Sequence, residues 1–243
     1  MKQTRFLLVP LFAASLMYIT SCGGGDSKEQ TGTDSTMTSD SSAPVVNTII
    51  TTPQNLMVAK HRVADYAKWQ ASYDAHDSVR LANGIHSYVI GRGLLDSNMV
   101  LVAVKVDDLE KARAFAKDPS LKQAMQKGGV TGTPKFSFVT NEWQDTVNVS
   151  SDIRSITNFV VKDWEAWKNN FFEGKEERLA NGITDRVVGH DADDNKKVSL
   201  VTAVTDTAKA FAYYKSDALK KRREAGGVTG EPERFLFRIV KRY

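Results

Sequence analysis

The sequence predicts an α+β fold made of two copies of one β-α-β-β-α-β unit. This prediction depends on an internal repeat with a shift of 98 residues and on the apolar pattern inside each copy. Comparing Val63–Pro134 with Val161–Pro232 gives 27 identities in 72 positions without a gap. Such a period is too long for a solenoid repeat and fits a small domain. We therefore expect two similar domains, residues 56–143 and 151–243, joined by a short polar segment.

Each copy is expected to begin with a strand and a helix. In the first copy the strand is Met57–Val63, and Asp65 can cap a helix that carries Trp69 on its apolar side. The hexapeptide RLANGI, at Arg80–Ile85 and again at Arg178–Ile183, is expected to end this helix in both copies. Its Asn-Gly pair permits a left-handed helix end, and its isoleucine begins the next strand. The hexapeptide is therefore interpreted as a joint between two elements.

A hairpin, a second helix and a last strand complete each predicted unit. The hairpin pairs Ile85–Arg92 with Met99–Val106 across a turn at Asp96–Asn98. Asp108 can cap the second helix, and Phe136 lies in the last strand. This order is the split βαβ pattern, in which two helices cover one face of the sheet and leave the other face bare. A bare, half-apolar face needs a partner, and the duplication supplies one in the same chain.

Four stretches of the first copy resemble a known family. They are MVAKHRVADYAKWQASYDAHDSVRLANGIHSYVIGRG, the strand MVLVAVKV, the segment DDLEKARAFAKDPSLKQAMQKGGV and the strand KFSFV. They resemble the antibiotic-biosynthesis-monooxygenase-like domains of the dimeric α+β barrel superfamily, nearly from end to end of each repeat. The resemblance implies two tandem ferredoxin-like units that pack sheet to sheet as an intrachain dimeric α+β barrel.

The resemblance implies a fold rather than one activity, because members include cofactor-free oxygenases, haem-degrading enzymes, isomerases and domains without known chemistry. Haem-degrading members require an Asn, a Trp and a His at particular places around the barrel. This constellation cannot be mapped onto the chain, since Trp69 and Trp167 lie on the first helix of each repeat and are expected to be core anchors. No cofactor is therefore predicted.

The N-terminus has the pattern of a bacterial lipoprotein signal peptide over residues 1–21. A basic start at Lys2 and Arg5 precedes an apolar run, Phe6–Ile19, and small residues lead to Cys22, the one cysteine of the chain. The quartet ending in Cys22 resembles a lipobox, which implies cleavage before this residue and acylation of it. Lipidation would anchor the protein to a bacterial cell-envelope membrane, inner or outer. The alternative is an ordinary signal peptide with an incidental cysteine.

Residues 22–55 are dominated by Gly, Ser, Thr and Asp and are expected to form a flexible tether. The formal net charge of +4 is small, and the basic run Lys220–Arg223 is expected to be a solvated helix face. No nucleic-acid partner is predicted. The expected partners are the membrane, through lipid on Cys22, and a small-molecule ligand.

The candidate site follows from the alternation of side chains along the strands. Valines alternate on the third strand of the first copy, so their face is expected to lie under the helices and the face with Lys105 inside the barrel. On the second strand the polar positions are assigned to the interior. The candidate ligand-binding residues are His61, His86, Tyr88, Arg92, Lys105, Arg186 and His190. An interior with these groups suits a small anionic or aromatic ligand, but a slip of one residue would exchange the two faces and turn them to water.

The sequence supports a catalytic site less well than a ligand-binding site. The four histidines lie at positions that the repeat does not preserve, and no two of them have the spacing of a metal site such as HExxH. Catalytic residues are therefore not assigned, and no metal is predicted. Three functions stay open: a small-molecule binding module, a cofactor-free monooxygenase-like enzyme, and a structural or protein-interaction module at the membrane surface.

Overall fold

The structure is a computed structural model that describes residues 47–243. The predicted signal peptide, Cys22 and the predicted tether up to residue 46 lie outside the described residues. The described part has an α+β fold, with one large antiparallel sheet and eight short helices. None of these eight helices is long and apolar enough to cross a membrane.

The elements follow the predicted order, with each helical region divided in two. The strands are β1 (Ile49–Ile50), β2 (Gln54–Val63), β3 (Ile85–Gly93), β4 (Met99–Val106), β5 (Val130–Asp145), β6 (Ile153–Val161), β7 (Ile183–Asp191), β8 (Lys197–Val204) and β9 (Val228–Arg242). The helices are α1 (Tyr66–Ala75), α2 (Asp77–Ala82), α3 (Leu109–Ala116), α4 (Pro119–Lys127), α5 (Trp164–Glu173), α6 (Lys175–Ala180), α7 (Thr207–Tyr214) and α8 (Asp217–Ala225). Six elements of the first half, α1 to α4, β3 and β4, recur with the same lengths 98 positions later.

The strands lie in the order β1-β5-β2-β4-β3-β9-β6-β8-β7, and all neighbours are antiparallel. Strand β5 also pairs with β7, from Val139 opposite Asp191 to Gln144 opposite Val187. Each of the eight long strands therefore has a hydrogen-bonded neighbour on both sides. Two pairings, β3 with β9 and β5 with β7, join the first half of the chain to the second. We call these two pairings the seams.

The helices pack on one face of the sheet, which we call the helix-covered face. In the first half, Trp69 of α1 and Phe115 of α3 pack against the alternating valines of β4. In the second half, Trp164 and Trp167 of α5 pack against β7 and β8. The opposite face, called the inner face, carries a separate apolar cluster around Phe237. The sheet thus has a core on each side.

Aspartates cap the helices as the sequence predicts. The side chains of Asp65, Asp108, Asp163 and Asp206 each accept a hydrogen bond of 2.8 to 3.0 Å from the backbone N–H three residues later. These bonds satisfy N–H groups that have no partner within the helix. The first helical region is divided at His76 in the first half and at Gly174 in the second.

The RLANGI hexapeptides lie where the helices α2 and α6 meet the strands β3 and β7. Gly84 has a φ of 67° and Gly182 a φ of 69°, in the left-handed region that favours glycine. Each hexapeptide is a helix end followed by the first residue of a strand, as predicted.

The folded part begins earlier than the predicted boundary at Leu56. Ile49 and Ile50 pair with Asp145 and Gln144 at the end of β5, and β2 begins at Gln54. The last nine residues of the predicted tether therefore belong to the folded part or border it, which corrects the prediction over residues 47–55. Strand β5 correspondingly extends to Asp145, beyond the predicted end of the first repeat at residue 143.

Candidate functional site

A β-bulge in β3 decides which of its side chains point to each face of the sheet. Ser87 pairs with Val104 and Val89 pairs with Ala103, so Tyr88 is an extra residue in the ladder. A bulge places two consecutive side chains on the same face and reverses the alternation beyond it. Tyr88 and Val89 therefore both point to the inner face.

The same bulge occurs at Arg186 in β7, and the two bulges correct two of the predicted site residues. Arg92 and His190 follow the bulges and lie on the helix-covered face rather than the inner face. The Arg92 guanidinium lies 4.3 Å from the ring centroid of Tyr66, and the His190 ring lies 4.9 Å from that of Trp164. Neither side chain reaches the inner face.

His86 and Lys105 lie on the inner face but line neither of the cavities described below. His86 is exposed, with Nε2 3.0 Å from Oδ2 of Asp107. The Nζ atom of Lys105 lies 5.0 Å from the ring centroid of Tyr88. Of the predicted residues, the structure therefore brings Tyr88 and Arg186 together at a cavity.

The inner face encloses a cavity of about 100 Å³, which we call the central cavity. Most of its wall is apolar and includes Leu101, Ile156 and Phe237. Phe237 lies against Gly91, where a Cβ atom would come within 2.2 Å of its ring, so the strand needs glycine at this point. An apolar wall of this kind suits an aromatic or aliphatic body.

A wider, polar space of about 590 Å³ adjoins one end of the central cavity, and we call it the vestibule. The two spaces share six lining residues and are therefore neighbours. The shared residues are Tyr88, Gln144, Arg154, Arg186, Ile239 and Arg242. The segment Thr146–Asp152, which connects β5 to β6, forms much of the remaining vestibule wall.

Three arginines, Arg154, Arg186 and Arg242, give the vestibule its charge. None of them forms an ion pair with any other residue of the described range 47–243. Arg154 is 5% exposed, and its burial, together with the like charges of the other two, lowers its pKa to about 10. Burial is also the main cause that lowers the pKa of Arg186. Guanidinium groups held in this way favour an anion.

Backbone carbonyls hold two of these arginines in place. Nη1 of Arg154 donates to the carbonyl oxygens of Ser151 (2.7 Å) and Ile153 (2.9 Å), and Nη1 of Arg186 donates to that of Val147 (2.8 Å). A carbonyl orients a guanidinium without neutralising it, so the positive charge of the vestibule persists. The side-chain amide of Gln144 donates to Oη of Tyr88 (2.8 Å), which leaves the Tyr88 hydroxyl proton available to a ligand.

Arg154 and Arg242 are site residues that the sequence prediction missed. The repeat itself carries a signal for them. Each vestibule arginine of the second half replaces an uncharged residue of the first: Leu56 corresponds to Arg154, Tyr88 to Arg186 and Gln144 to Arg242. A charged residue at a position where the other copy has leucine on a sheet face marks a departure from simple core packing.

A second pocket, of about 60 Å³, lies on the helix-covered face of the first half. Trp69 and Tyr73 of α1 and Phe115 of α3 line it, with His61 of β2 beneath them. His61 was predicted to enter the barrel or line its mouth, and this is corrected by the pairing of His61 with Val100, a residue of the helix-covered core.

His61 has no hydrogen-bond partner within the described residues. It is 3% exposed, its ring centroid lies 5.5 Å from that of Trp69, and neither ring nitrogen meets a donor or acceptor there. Burial lowers its pKa to about 4, so the imidazole is neutral at physiological pH. A neutral imidazole can donate one hydrogen bond and accept another, and both capacities are unused in this pocket.

Within residues 47–243, His, Cys, Asp and Glu side chains form no group of three or more that could hold a metal ion. The carboxylate of Asp145, which lines the central cavity, accepts a hydrogen bond from the backbone of Val147 (2.9 Å).

No family model and no curated protein matches this chain. Solved structures do resemble it. A protein from Fusobacterium nucleatum named as a candidate monooxygenase is 12% identical, with a TM-score of 0.52 over 78% of this chain and 93% of that one. An anthrone oxidase-like protein is 15% identical, with a TM-score of 0.52 over 79% of this chain and 94% of that one. A candidate chlorite dismutase is 16% identical, with a TM-score of 0.52 over 78% and 96%.

Identities this low establish the fold alone. The order of strands and helices and these likenesses define the class of the protein as α+β with a ferredoxin-like fold. The features of the structure that bear on function are the central cavity, the vestibule and the His61 pocket.

Proposed function

We propose that this protein is a lipid-anchored envelope protein that binds a small aromatic or anionic molecule in its central cavity and vestibule. The observation that carries the proposal is a set of three arginines beside an apolar cavity that form no ion pair with any residue of the range 47–243. An apolar body fits the cavity wall, and an anionic group fits the arginines.

The proposal includes an architecture of two tandem ferredoxin-like units that close as an intrachain dimeric α+β barrel. Three observations support it: the gap-free sequence repeat, the recurrence of six elements after 98 residues, and the two seams between the halves. In such an arrangement one chain supplies both halves of the cavity, and the halves are free to differ. The vestibule is an example of such a difference, because all three of its arginines belong to the second half.

The membrane anchor is supported by the pattern of residues 1–22. We expect the mature chain to begin at an acylated Cys22, which radiolabelled palmitate and mass spectrometry of the purified protein would detect. A Cys22→Ser variant should lose both the label and the partition into the detergent phase. The anchor is excluded if the variant carries the same acyl chains as the parent.

A ligand screen on the full chain, kept in detergent, tests the binding proposal. Thermal shift and native mass spectrometry would compare aromatic acids with their neutral amides. A ligand present at 100 times its dissociation constant stabilises a protein by about 2.7 kcal/mol, so binding is readily seen. Acids should stabilise the protein more than amides.

Filling the cavity provides the matched pair of variants. Ala103 lines the central cavity, and Ala103→Phe should abolish the stabilisation by ligand. Ala67 is exposed on α1, and Ala67→Phe should keep it. If no compound stabilises the parent, the binding proposal fails and a structural or protein-interaction role takes its place.

The second candidate function is a cofactor-free monooxygenase-like enzyme, and the unpartnered His61 specifically favours it. Neighbours named as monooxygenase and oxidase fit this alternative. The substrate would be an electron-rich aromatic whose acidic CH₂ group is converted to C=O, with O₂ supplying that oxygen and leaving its other atom in water. The imidazole of His61 would accept the proton whose loss makes the substrate reactive towards O₂.

Oxygen uptake tests this candidate. Uptake with an anthrone-type substrate should be abolished in His61→Phe and retained in Phe159→Leu, which changes the corresponding position in the second half. Equal uptake by the parent and His61→Phe would remove His61 from the mechanism. Absence of uptake from all three proteins would remove the enzyme candidate.

A further inference from the structure

We propose that the vestibule selects a doubly charged anion carried on an apolar body, with an aromatic phosphate monoester or an aromatic dicarboxylate as the ligand class. This inference rests on the proposed binding function and adds the charge of the ligand and the residues that recognise it.

The charge of the ligand follows from the groups that line the vestibule and the cavity. Two of the lining groups are neutralised by partners outside these spaces. Asp152 accepts two bonds from Arg238 (2.6 and 2.7 Å), and Nζ of Lys241 lies 2.9 Å from Asp74. Of the remaining charged groups, the three arginines face one carboxylate, that of Asp145. The difference is a surplus of two positive charges.

The burial of Arg154 makes this surplus costly in the absence of a ligand, whereas Arg186 is half-buried and Arg242 is exposed. Arg154 is 5% exposed, and the like charges of Arg186 and Arg242 act on it, as the lowering of its pKa reflects. A singly charged ligand would leave one positive charge uncompensated beside the buried Arg154, whereas a dianion would compensate both. The site therefore distinguishes a monoanion from a dianion by the repulsion between arginines that remains after the ligand binds.

The donors also match an anion with several oxygen atoms. Guanidinium groups present paired N–H donors that fit carboxylate and phosphate oxygens, and the three arginines reach the vestibule from three different strands, β6, β7 and β9. The Tyr88 hydroxyl, held by Gln144, adds a neutral donor on the opposite half. Donors on several sides suit a tetrahedral phosphate or two carboxylates better than one carboxylate.

The shapes of the two spaces place the rest of the ligand. The vestibule, of about 590 Å³, has room for a hydrated anionic group, and the central cavity, of about 100 Å³, is narrow and apolar. The ligand therefore has its charge at one end and its apolar body at the other. Inorganic phosphate and succinate lack the apolar body and should bind more weakly.

The test compares four probes on the full chain in detergent, by calorimetry at pH 5.0 and pH 7.5: phenyl phosphate, phthalate, benzoate and benzamide. A phosphate monoester loses its second proton at about pH 6. Among the described residues no histidine lines the vestibule or the central cavity, so a rise in affinity between these pH values reports the ligand's own ionisation. We expect phenyl phosphate to bind about tenfold more tightly at pH 7.5 than at pH 5.0, and benzoate to bind weakly at both.

The variants Arg154→Gln, Arg186→Gln and Arg242→Gln should each weaken phenyl phosphate about tenfold or more, because each removes a charge-assisted contact. Arg62→Gln is the matched control, since Arg62 is an exposed arginine of β2 paired with Asp96 and away from both spaces. Arg242 is exposed, so its variant should fold even if the buried Arg154→Gln does not. Circular dichroism would establish the fold of each.

The outcomes separate this inference from the proposed function. Equal affinity for benzoate and phenyl phosphate at pH 7.5 would overturn the dianion inference while ligand binding stands. Binding of phenyl phosphate that all three arginine variants leave unchanged would overturn the assignment of the site. Binding of none of the four probes, in a protein that other compounds stabilise, would overturn the ligand class. Failure of every compound would overturn the binding function as well.

Discussion

The two halves of the protein hold the same buried arginine with different carboxylates. Arg80 donates to the Tyr73 carbonyl (2.7 Å) and to Asp77 (2.9 Å), a neighbour on the same helix. Arg178 donates to the Phe171 carbonyl (2.6 Å) and makes two bonds to Asp185 of β7 (2.6 and 2.7 Å). Each guanidinium lies 3.7 Å from the centroid of the aromatic ring beside it.

The arginine lies at corresponding positions in the two halves, but the carboxylate that binds it does not. Asp185 corresponds to Ser87 in the first half, and Asp77 corresponds to Lys175 in the second. In the first half Ser87 lies at the position of Asp185. Its hydroxyl oxygen is 2.9 Å from Oη of Tyr73 and 3.3 Å from Oδ1 of Asp77. The consequence is a fully buried ion pair in one half and a half-exposed carboxylate in the other.

The same comparison holds for the aromatic core beneath the helices. His61 occupies the position of Phe159, and His76 that of Gly174. Phe159 packs edge to face on Trp167 at 5.3 Å, whereas His61 lies against Trp69 with two unpartnered nitrogens. At this position the second half therefore has an apolar contact, and the first half has a buried polar group without a partner among the described residues. In a chain with an internal repeat, a position that is apolar in one copy and buried and polar in the other is a first candidate for function.

The largest expected effect separates the two ion pairs. In the second half, Asp185→Asn should lower the free energy of unfolding by about 3 to 5 kcal/mol, because it leaves the buried guanidinium of Arg178 without its counter-charge. In the first half, Asp77→Asn should cost less, about 1 to 3 kcal/mol, because water reaches that 46% exposed carboxylate, although the guanidinium of Arg80 is as buried as that of Arg178. Urea denaturation of both variants measures the difference. Equal losses would mean that the two arginines depend equally on their carboxylates.

The next effect is a dependence of stability on pH that His61 gives to the protein. The pKa of His61 is about 4 in the folded protein, against 6.5 for an unfolded chain. Between these pH values the unfolded state binds more protons than the folded state. The contribution of neutral His61 to the free energy of unfolding is therefore fully present above pH 6.5 and is lost as the pH falls towards 4. The loss amounts to about 3 kcal/mol.

The His61→Phe variant isolates this contribution, because carboxylates also titrate in the same range. The difference in unfolding free energy between the parent and the variant should change by about 3 kcal/mol between pH 7 and pH 4. A constant difference across this range would show that folding does not lower the pKa of His61.

A smaller effect is expected at neutral pH from exchanging this position between the halves. His61→Phe should raise the free energy of unfolding by about 1 to 2 kcal/mol, since it removes a buried polar group that lacks partners. Phe159→His should lower it by a similar or larger amount. Thermal unfolding at pH 7.5 tests both, and a destabilised His61→Phe would indicate that the pocket is shaped around the imidazole.

The smallest effect should be the same in both halves. Asp65→Ala and Asp163→Ala each remove a helix cap and should cost about 1 kcal/mol. Both caps accept one backbone hydrogen bond of 2.8 Å, so their losses should agree within error. A clear inequality would show that the helices α1 and α5 contribute differently to stability.

The sequence predicts the elements well because local chemistry determines them. Aspartates that can cap, Asn-Gly pairs that can end a helix, and valines alternating along β4 act over a few residues, and their structures follow the predictions. The faces of β3 and β7 are different, because a bulge depends on the pairing of two strands. The single extra residue at Tyr88 or Arg186 reverses the positions of Arg92 and His190.

The candidate site was predicted in part for a related reason. Tyr88 and Arg186 lie at the vestibule, whereas Arg154 and Arg242 become its neighbours through pairings between β6, β7, β8 and β9 that no local pattern encodes. His61 was selected as a candidate ligand-binding residue of the first strand, but its face depends on which side the helices cover. Comparison of the two copies, position by position, is the sequence signal that identifies Arg154, Arg186, Arg242 and His61 together.

The two seams have a consequence for how the chain opens. Neither half can leave the sheet unless both β3–β9 and β5–β7 separate, and each separation exposes a row of backbone groups that would then lack partners. The halves should therefore exchange their strand amide protons with solvent at similar rates and lose structure in one transition. The two halves, which share a repeated sequence, would in that case behave as a single cooperative unit.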